Sequence, residues 1–146
     1  MISDIKLKIR HAKRGNEKTL DLSNLGMTEL PVDITQLSML EVLNVANNKM
    51  THLRRVEQLP NLRVINAQNN QISQLHPELQ DMYCLDSINL CGNPVVNTLP
   101  EIARIDNNQD GVMSALNKYF SQGGGLGTGM SVTNLGAFDN PAAKTL

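Results

Sequence analysis

The sharpest chemical signal in the 146 residues is the run Asp106-Asn107-Asn108-Gln109-Asp110-Gly111-Val112-Met113-Ser114. It follows the first nine positions of a twelve-residue calcium loop. Oxygen donors stand at positions 1, 3 and 5 (Asp106, Asn108, Asp110), Gly111 at 6, apolar Met113 at 8 and Ser114 at 9. Calcium in such a loop needs a bidentate carboxylate at position 12. Asn117 occupies that position and cannot supply one. The run therefore reads as a polar loop in front of an N-capped helix, and a calcium-responsive adaptor using residues 106–117 stands as the alternative.

Other groups capable of chemistry are scattered. Gly123-Gly124-Gly125-Leu126-Gly127-Thr128-Gly129 lacks the Lys-Ser/Thr and the preceding strand of a phosphate loop. Cys84 and Cys91 read as small packing residues rather than a bridge or a metal pair. His11, His52 and His76 fall far apart and outside the inward positions of the pattern described below, so they read as exposed. No metal-ligand set and no nucleophile–base pair is visible. The expectation is a chain that is not an enzyme and carries no cofactor.

The dominant pattern is instead an internal repeat. Leu40-x-x-Leu43-x-Val45-x-x-Asn48-x-Met50-x-x-Leu53 is followed by Leu62-x-x-Ile65-x-Ala67-x-x-Asn70-x-Ile72-x-x-Leu75, and then by Leu85-x-x-Ile88-x-Leu90-x-x-Asn93-x-Val95. Upstream, Leu20-x-Leu22-x-x-Leu25-x-Met27-x-x-Leu30 keeps the spacing with Leu25 in place of Asn. The period is 22–23 residues. Each apolar-x-apolar step has the period of two that turns both side chains to one face of a short strand. Between strands, Leu30-Pro31-x-x-Ile34-x-x-Leu37 and Val56-x-x-Leu59-Pro60 have three-residue spacing, which predicts short helical or 3₁₀ turns. Aromatics are only 3 % with no Trp, so Leu, Ile, Val and Met must fill narrow, similar layers.

These residues resemble the leucine-rich-repeat (LRR) family, in its small intracellular form with about four repeats; the resemblance covers roughly residues 17–120. It implies an α/β solenoid with a short parallel sheet on a concave face and a helical cap at each end. Asn48, Asn70 and Asn93 would turn inward as a structural ladder, their amides satisfying backbone groups that bend into the core. The first repeat would be atypical, since Leu25 cannot do this. Outward strand residues would form the concave binding face: Asp21, Asn44, Val64, Asn66, Gln68 and Asn89. An alternative account of that polar column is that small polar residues suit a crowded concave sheet. Further anchors for a partner would be Arg54 and Arg55 on the convex side, Arg63 beside a strand, and Tyr119 at the end of the repeats.

The ends fit this scheme. Residues 1–15 read as an N-terminal capping helix with Ile2, Ile5, Ile9 and Ala12 on one face, Ser3 or Asp4 as its N-cap and Gly15 as its stop. Residues 16–120 hold the repeats and a C-terminal capping helix, with Met113, Leu116 and Phe120 predicted to seal the last layer. Gly92-Asn93-Pro94, Leu99-Pro100 and Tyr119-Phe120 match the way the family often closes. Residues 121–146 read as a Gly-rich flexible or partner-ordered tail, in which Val132, Leu135 and Phe138 would dock on a partner.

Charge is uneven. Residues 1–18 carry a net +4 and the remainder −5. The basic end is too short for a nucleic-acid footprint. A mitochondrial presequence is also basic and amphipathic, but this segment carries Asp4 and runs directly into the first repeat. The absence of cysteine-rich end caps and of an Asn-x-Ser/Thr sequon favours an intracellular, reducing compartment, cytoplasmic before organellar or cytoskeletal. No apolar run reaches the length that spans a bilayer. The function class implied by the resemblance is a non-enzymatic protein–protein interaction scaffold, as a subunit of a larger complex. A regulatory or inhibitory subunit of an enzyme such as a phosphatase is the other alternative. In every version the partner is a protein.

Overall fold

The computed structural model describes residues 2–122 and is a mixed α/β structure. Four three-residue strands, β1 (Thr19–Asp21), β2 (Val42–Asn44), β3 (Val64–Asn66) and β4 (Ser87–Asn89), pair in parallel in chain order. A fifth strand, β5 (Arg104–Ile105), pairs antiparallel with β4. The register is unbroken: Leu20 faces Leu43, Leu43 faces Ile65, and Ile65 faces Ile88. All four are buried, while their strand neighbours are exposed or half-buried. The two-residue alternation of the sequence thus appears directly as an inward and an outward face.

Each strand ends in the same turn. Asn24, Asn47, Asn69 and Gly92 all adopt left-handed backbone conformation, with φ of 59°, 57°, 58° and 80°. Asn and Gly are the residues that tolerate this region at least cost. The turn sends the chain back through 3₁₀ segments at Val32–Gln36, Val56–Gln58, Pro77–Asp81, Pro94–Asn97 and Pro100–Ile102. Ile34, Val56, Leu79, Val95 and Ile102 plug the core from this return side. The expected convex turns are therefore all of the tighter 3₁₀ kind.

Helix α1 (Ile2–Arg14) packs against β1 and the Val32–Gln36 turn, burying Ile5, Ile9 and Ala12. Asp4 lies in its first turn and His11, Lys13 and Arg14 in its last, the polarity that suits the helix dipole. Helix α2 (Gln109–Ser121) is N-capped by Asn108, whose Oδ1 accepts the Gly111 N–H at 2.9 Å. Its buried face is Val112, Ala115, Leu116 and Tyr119, with Met113 and Phe120 only partly buried. Of the predicted face, Leu116 is buried and Met113 and Phe120 lie at its margins; packing against β4 and the Pro77–Asp81 and Pro100–Ile102 turns brings Val112, Ala115 and Tyr119 inward as well.

Strand β5 was not expected from the sequence. Its role is to satisfy the free edge of β4, where the Leu90 N–H donates to the Ala103 carbonyl at 2.6 Å. Among the described residues no helix is long and apolar enough to cross a membrane. Val132, Leu135 and Phe138 lie outside the described residues.

Candidate functional site

The outward face of the sheet carries a column in strict register: Asp21 opposite Asn44, Asn44 opposite Asn66, Asn66 opposite Asn89, and Asn89 opposite Arg104 on β5. Each of the first four makes one recurring hydrogen bond. The side-chain Oδ1 accepts the backbone N–H two residues on, from Ser23 (2.9 Å), Ala46 (3.0 Å), Gln68 (3.2 Å) and Cys91 (3.0 Å). Asn and Asp suit this place because a short side chain with a terminal oxygen closes the turn leaving the strand. Asn89 also donates from Nδ2 to Gln68 Oε1 at 3.0 Å. Half-buried Val64 lies between Val42 and Ser87 in the neighbouring outward column. The Ser23 hydroxyl at 2.6 Å and then its N–H hold the Asp21 carboxyl below its usual range; slight burial opposes this and Lys8 adds to it.

Directly before the strands runs a charged row of alternating sign: Lys18, Glu41, Arg63 and Asp86. Lys18 lies 3.9 Å from Glu41, Arg63 lies 3.9 Å from Glu41, and Arg63 lies 2.9 Å from Asp86. Arg63 is thus already engaged on both sides.

Behind the sheet, the inward ladder works across repeats. Asn48 Oδ1 accepts from Leu25 and Met27, both at 3.0 Å, and its Nδ2 donates to the Leu22 and Val45 carbonyls, both at 2.9 Å. Asn70 accepts from Met50 and donates to Val45 and Ala67. Asn93 accepts from Ile72 and donates to Ala67 and Leu90. Each amide therefore ties its own strand end to the turn of the preceding repeat.

Other expected anchors are placed differently. Tyr119 is 1 % exposed, and its hydroxyl accepts the Leu75 N–H at 3.2 Å, so it is a core residue with no surface to offer a partner. Arg54 is exposed on the return side. Arg55, with φ of 91°, donates from its guanidinium to the Leu30 carbonyl of the preceding repeat. Asp106, Asn108 and Asp110 are not brought together as a ligand set. Asp106 pairs with Arg104 at 2.9 Å, Asn108 caps α2, and Gln109–Ser121 is helix rather than loop. Asn117, at the twelfth position, accepts from Gln80 at 2.9 Å.

Some residues were missed. His76, expected to be exposed, is 3 % exposed and its Nε2 lies 2.6 Å from Glu57 Oε1. Its position directly after inward Leu75, in front of Pro77, was the available signal. Burial acts to raise the Glu57 carboxyl, but its own backbone N–H, the His76 ring and the Arg55 N–H outweigh it and hold the carboxyl below its usual range. Cys84 and Cys91, expected to pack, are both free and exposed. Cys84 leaves the return turn on the surface, and Cys91 takes an outward position just beyond β4. Tyr83, not singled out in the sequence, is 67 % exposed.

No family model matches the chain, and no curated protein matches it. Among solved structures, an LRR protein of Leptospira interrogans is similar at 20 % identity, over 57 % of this chain and 34 % of that one, with a TM-score of 0.34. The chain thus spans about a third of the length of that protein.

Proposed function

We propose that the chain is a leucine-rich-repeat solenoid, capped by α1 at one end and by β5 with α2 at the other, that acts without chemistry of its own. It serves as a rigid surface for a protein partner within a larger intracellular assembly. The observation that supports this reading is the outward column Asp21-Asn44-Asn66-Asn89. Its register is continuous and each side-chain oxygen is fixed by the same backbone bond. A surface set before the partner arrives loses less conformational entropy on binding. Trp, Tyr and Arg dominate binding hot spots. None stands in this column before Arg104 at its end, so the partner would supply the bulky anchors.

The test is affinity capture of the full chain from its native source with mass spectrometry, run beside Val64→Arg on the outward face and Arg54→Ala on the return side. A partner lost with Val64→Arg and kept with Arg54→Ala supports the reading. A partner indifferent to Val64→Arg removes the sheet face as the site. Recovery of a catalytic partner, such as a phosphatase, would narrow the role to a regulatory subunit.

A further inference from the structure

On the return side, a groove of about 150 Å³ lies between the Val56–Gln58 and Pro77–Asp81 turns. Pro60 and Met82 are among its apolar lining, and Tyr83 lines it as well. Tyr83 is the most exposed of the large apolar side chains among the described residues. Tyr carries large contact area on few rotatable bonds, which makes it a frequent binding anchor. Its ring has no aromatic partner among the described residues.

The charged groups lining this groove are both acidic, Glu57 and Asp81. Asp81 forms no salt bridge among the described residues, in contrast to Glu41, Asp86, Glu101 and Asp106. Glu57 is fixed by His76 and by the Arg55 N–H. Its acidic range is lowered, so it is ionised at neutral pH. The nearest sequence cation, Arg55, turns its guanidinium to the Leu30 carbonyl and does not pair with either carboxylate.

From this juxtaposition we propose that the groove receives a lysine or arginine side chain from a protein partner. The cationic head would meet Glu57 and Asp81, and the aliphatic stem would lie along Met82 and Pro60 under the Tyr83 ring. Lys and Arg are suited to such a place because their stems cover apolar surface while the head stays with charge and water. An aromatic ring beside the stem adds a large apolar contact on few rotatable bonds. The inference rests on reading the chain as an interaction protein, but assigns a contact to the face opposite the sheet.

The experiment is selection of random phage-displayed heptapeptides on the full-length chain. Synthetic copies of the selected peptides are then measured against wild type, Asp81→Asn, Tyr83→Ser and Asn44→Ala. Asp81 and Tyr83 are exposed, so neither substitution threatens the fold, and circular dichroism checks that. The expected result is a shared basic position in the peptides. Binding should weaken about tenfold or more with Asp81→Asn or Tyr83→Ser, fall as salt rises, and stay unchanged with Asn44→Ala. Replacing the shared basic residue by citrulline or norleucine should abolish it. Peptides with no basic position, or peptides sensitive to Asn44→Ala alone, would overturn the groove while leaving the sheet-face reading standing. Failure to select any peptide would count against both.

Discussion

The Oδ1 of Asn70 accepts the Met50 backbone N–H at 3.0 Å, twenty residues back in sequence and one repeat back in space. Its Nδ2 donates in the other direction to Val45 and Ala67, both at 3.0 Å. All of these groups are buried, so no water replaces a lost partner. Asn70→Ala should therefore destabilise the protein by about 1–3 kcal/mol. Asn70→Asp should be no better, because it sets an oxygen against two carbonyls. Asn66→Ala loses one half-buried bond to Gln68 and should cost less, about 0.5–1 kcal/mol. Urea midpoints for the three variants check this ordering, and equal losses at 66 and 70 would remove the distinction between inward and outward amides.

Gly92 and Gly26 separate two costs of a side chain. Both have positive φ, 80° and 67°. A Cβ at Gly26 meets nothing within 4 Å, whereas one at Gly92 meets Asn69 Oδ1 at 2.3 Å and the Asn69 backbone at 3.2 Å. Gly26→Ala should lose only the left-handed penalty, about 1–2 kcal/mol. Gly92→Ala should lose that and the repacking of Asn69 as well. Thermal melts should show the larger drop for Gly92→Ala, and restoring room with Asn69→Gly should recover part of it.

How far the sequence carried the structure follows from what kind of signal each feature leaves. The strands, their register and the inward amides were legible because Leu43, Ile65 and Ile88 recur at one spacing with Asn48, Asn70 and Asn93. A repeat tests itself several times over. The left-handed turn was equally available in Asn24, Asn47, Asn69 and Gly92, one place before Leu25 and the ladder amides. Features that occur once were not legible. Strand β5 exists because the last edge of the sheet needs partners, and two residues give no periodicity to read. The inward face of α2 depended on how the helix packs against β4 and the Pro77–Asp81 and Pro100–Ile102 turns. The candidate sites behaved likewise: the outward column was readable from register, but the burial of Tyr119 and the His76–Glu57 pair depend on packing between repeats.

Glu57 makes stability depend on pH in an acidic window. Its carboxyl is held low in the folded state, although burial alone would raise it. The folded state then binds fewer protons than the unfolded chain near the ordinary glutamate value of about 4.3. Its contribution is complete above that value and is lost as pH falls through the lower folded one. Urea midpoints from pH 6 to pH 3 should fall, and Glu57→Gln should flatten the fall while lowering the plateau. Asp21→Asn is the exposed comparison: the Asp21 carboxyl is also held low, by Ser23, so removing it should flatten the fall as well, without touching the His76 contact. An unchanged slope with Glu57→Gln would show that the His76 contact does not favour the charged carboxylate.

Calcium should not bind at residues 106–117. The fourth to twelfth positions lie on α2, Asp106 faces Arg104, and the Asn108 amide oxygen is used by the Gly111 N–H. Forming a loop would unwind the helix that buries Val112, Leu116 and Tyr119. Calorimetry at millimolar calcium should show no binding heat and no shift in melting temperature. A dissociation constant tighter than about 100 μM would mean that the segment refolds around the ion, since weak extracellular calcium modules already reach about 10⁻⁴ M.

Tyr119 should matter to folding through one atom. Its ring packs edge-on against Phe120, with centroids 5.0 Å apart, and fills the core beside Leu75. Its hydroxyl is the acceptor for the Leu75 N–H, forty-four residues away in sequence. Tyr119→Phe keeps the ring and leaves that buried N–H without a partner, a loss of about 1–3 kcal/mol. Tyr119→Leu should cost more, because it also removes ring volume from a close-packed layer. Hydrogen exchange separates the two effects: the Leu75 amide should lose protection in Tyr119→Phe while the amides of β1 and β2 keep theirs relative to global stability. Peptide or partner binding corrected for the fraction folded should be the same in Tyr119→Phe as in wild type. A binding defect in a fully folded Tyr119→Phe protein would return this residue to the surface role that its burial denies.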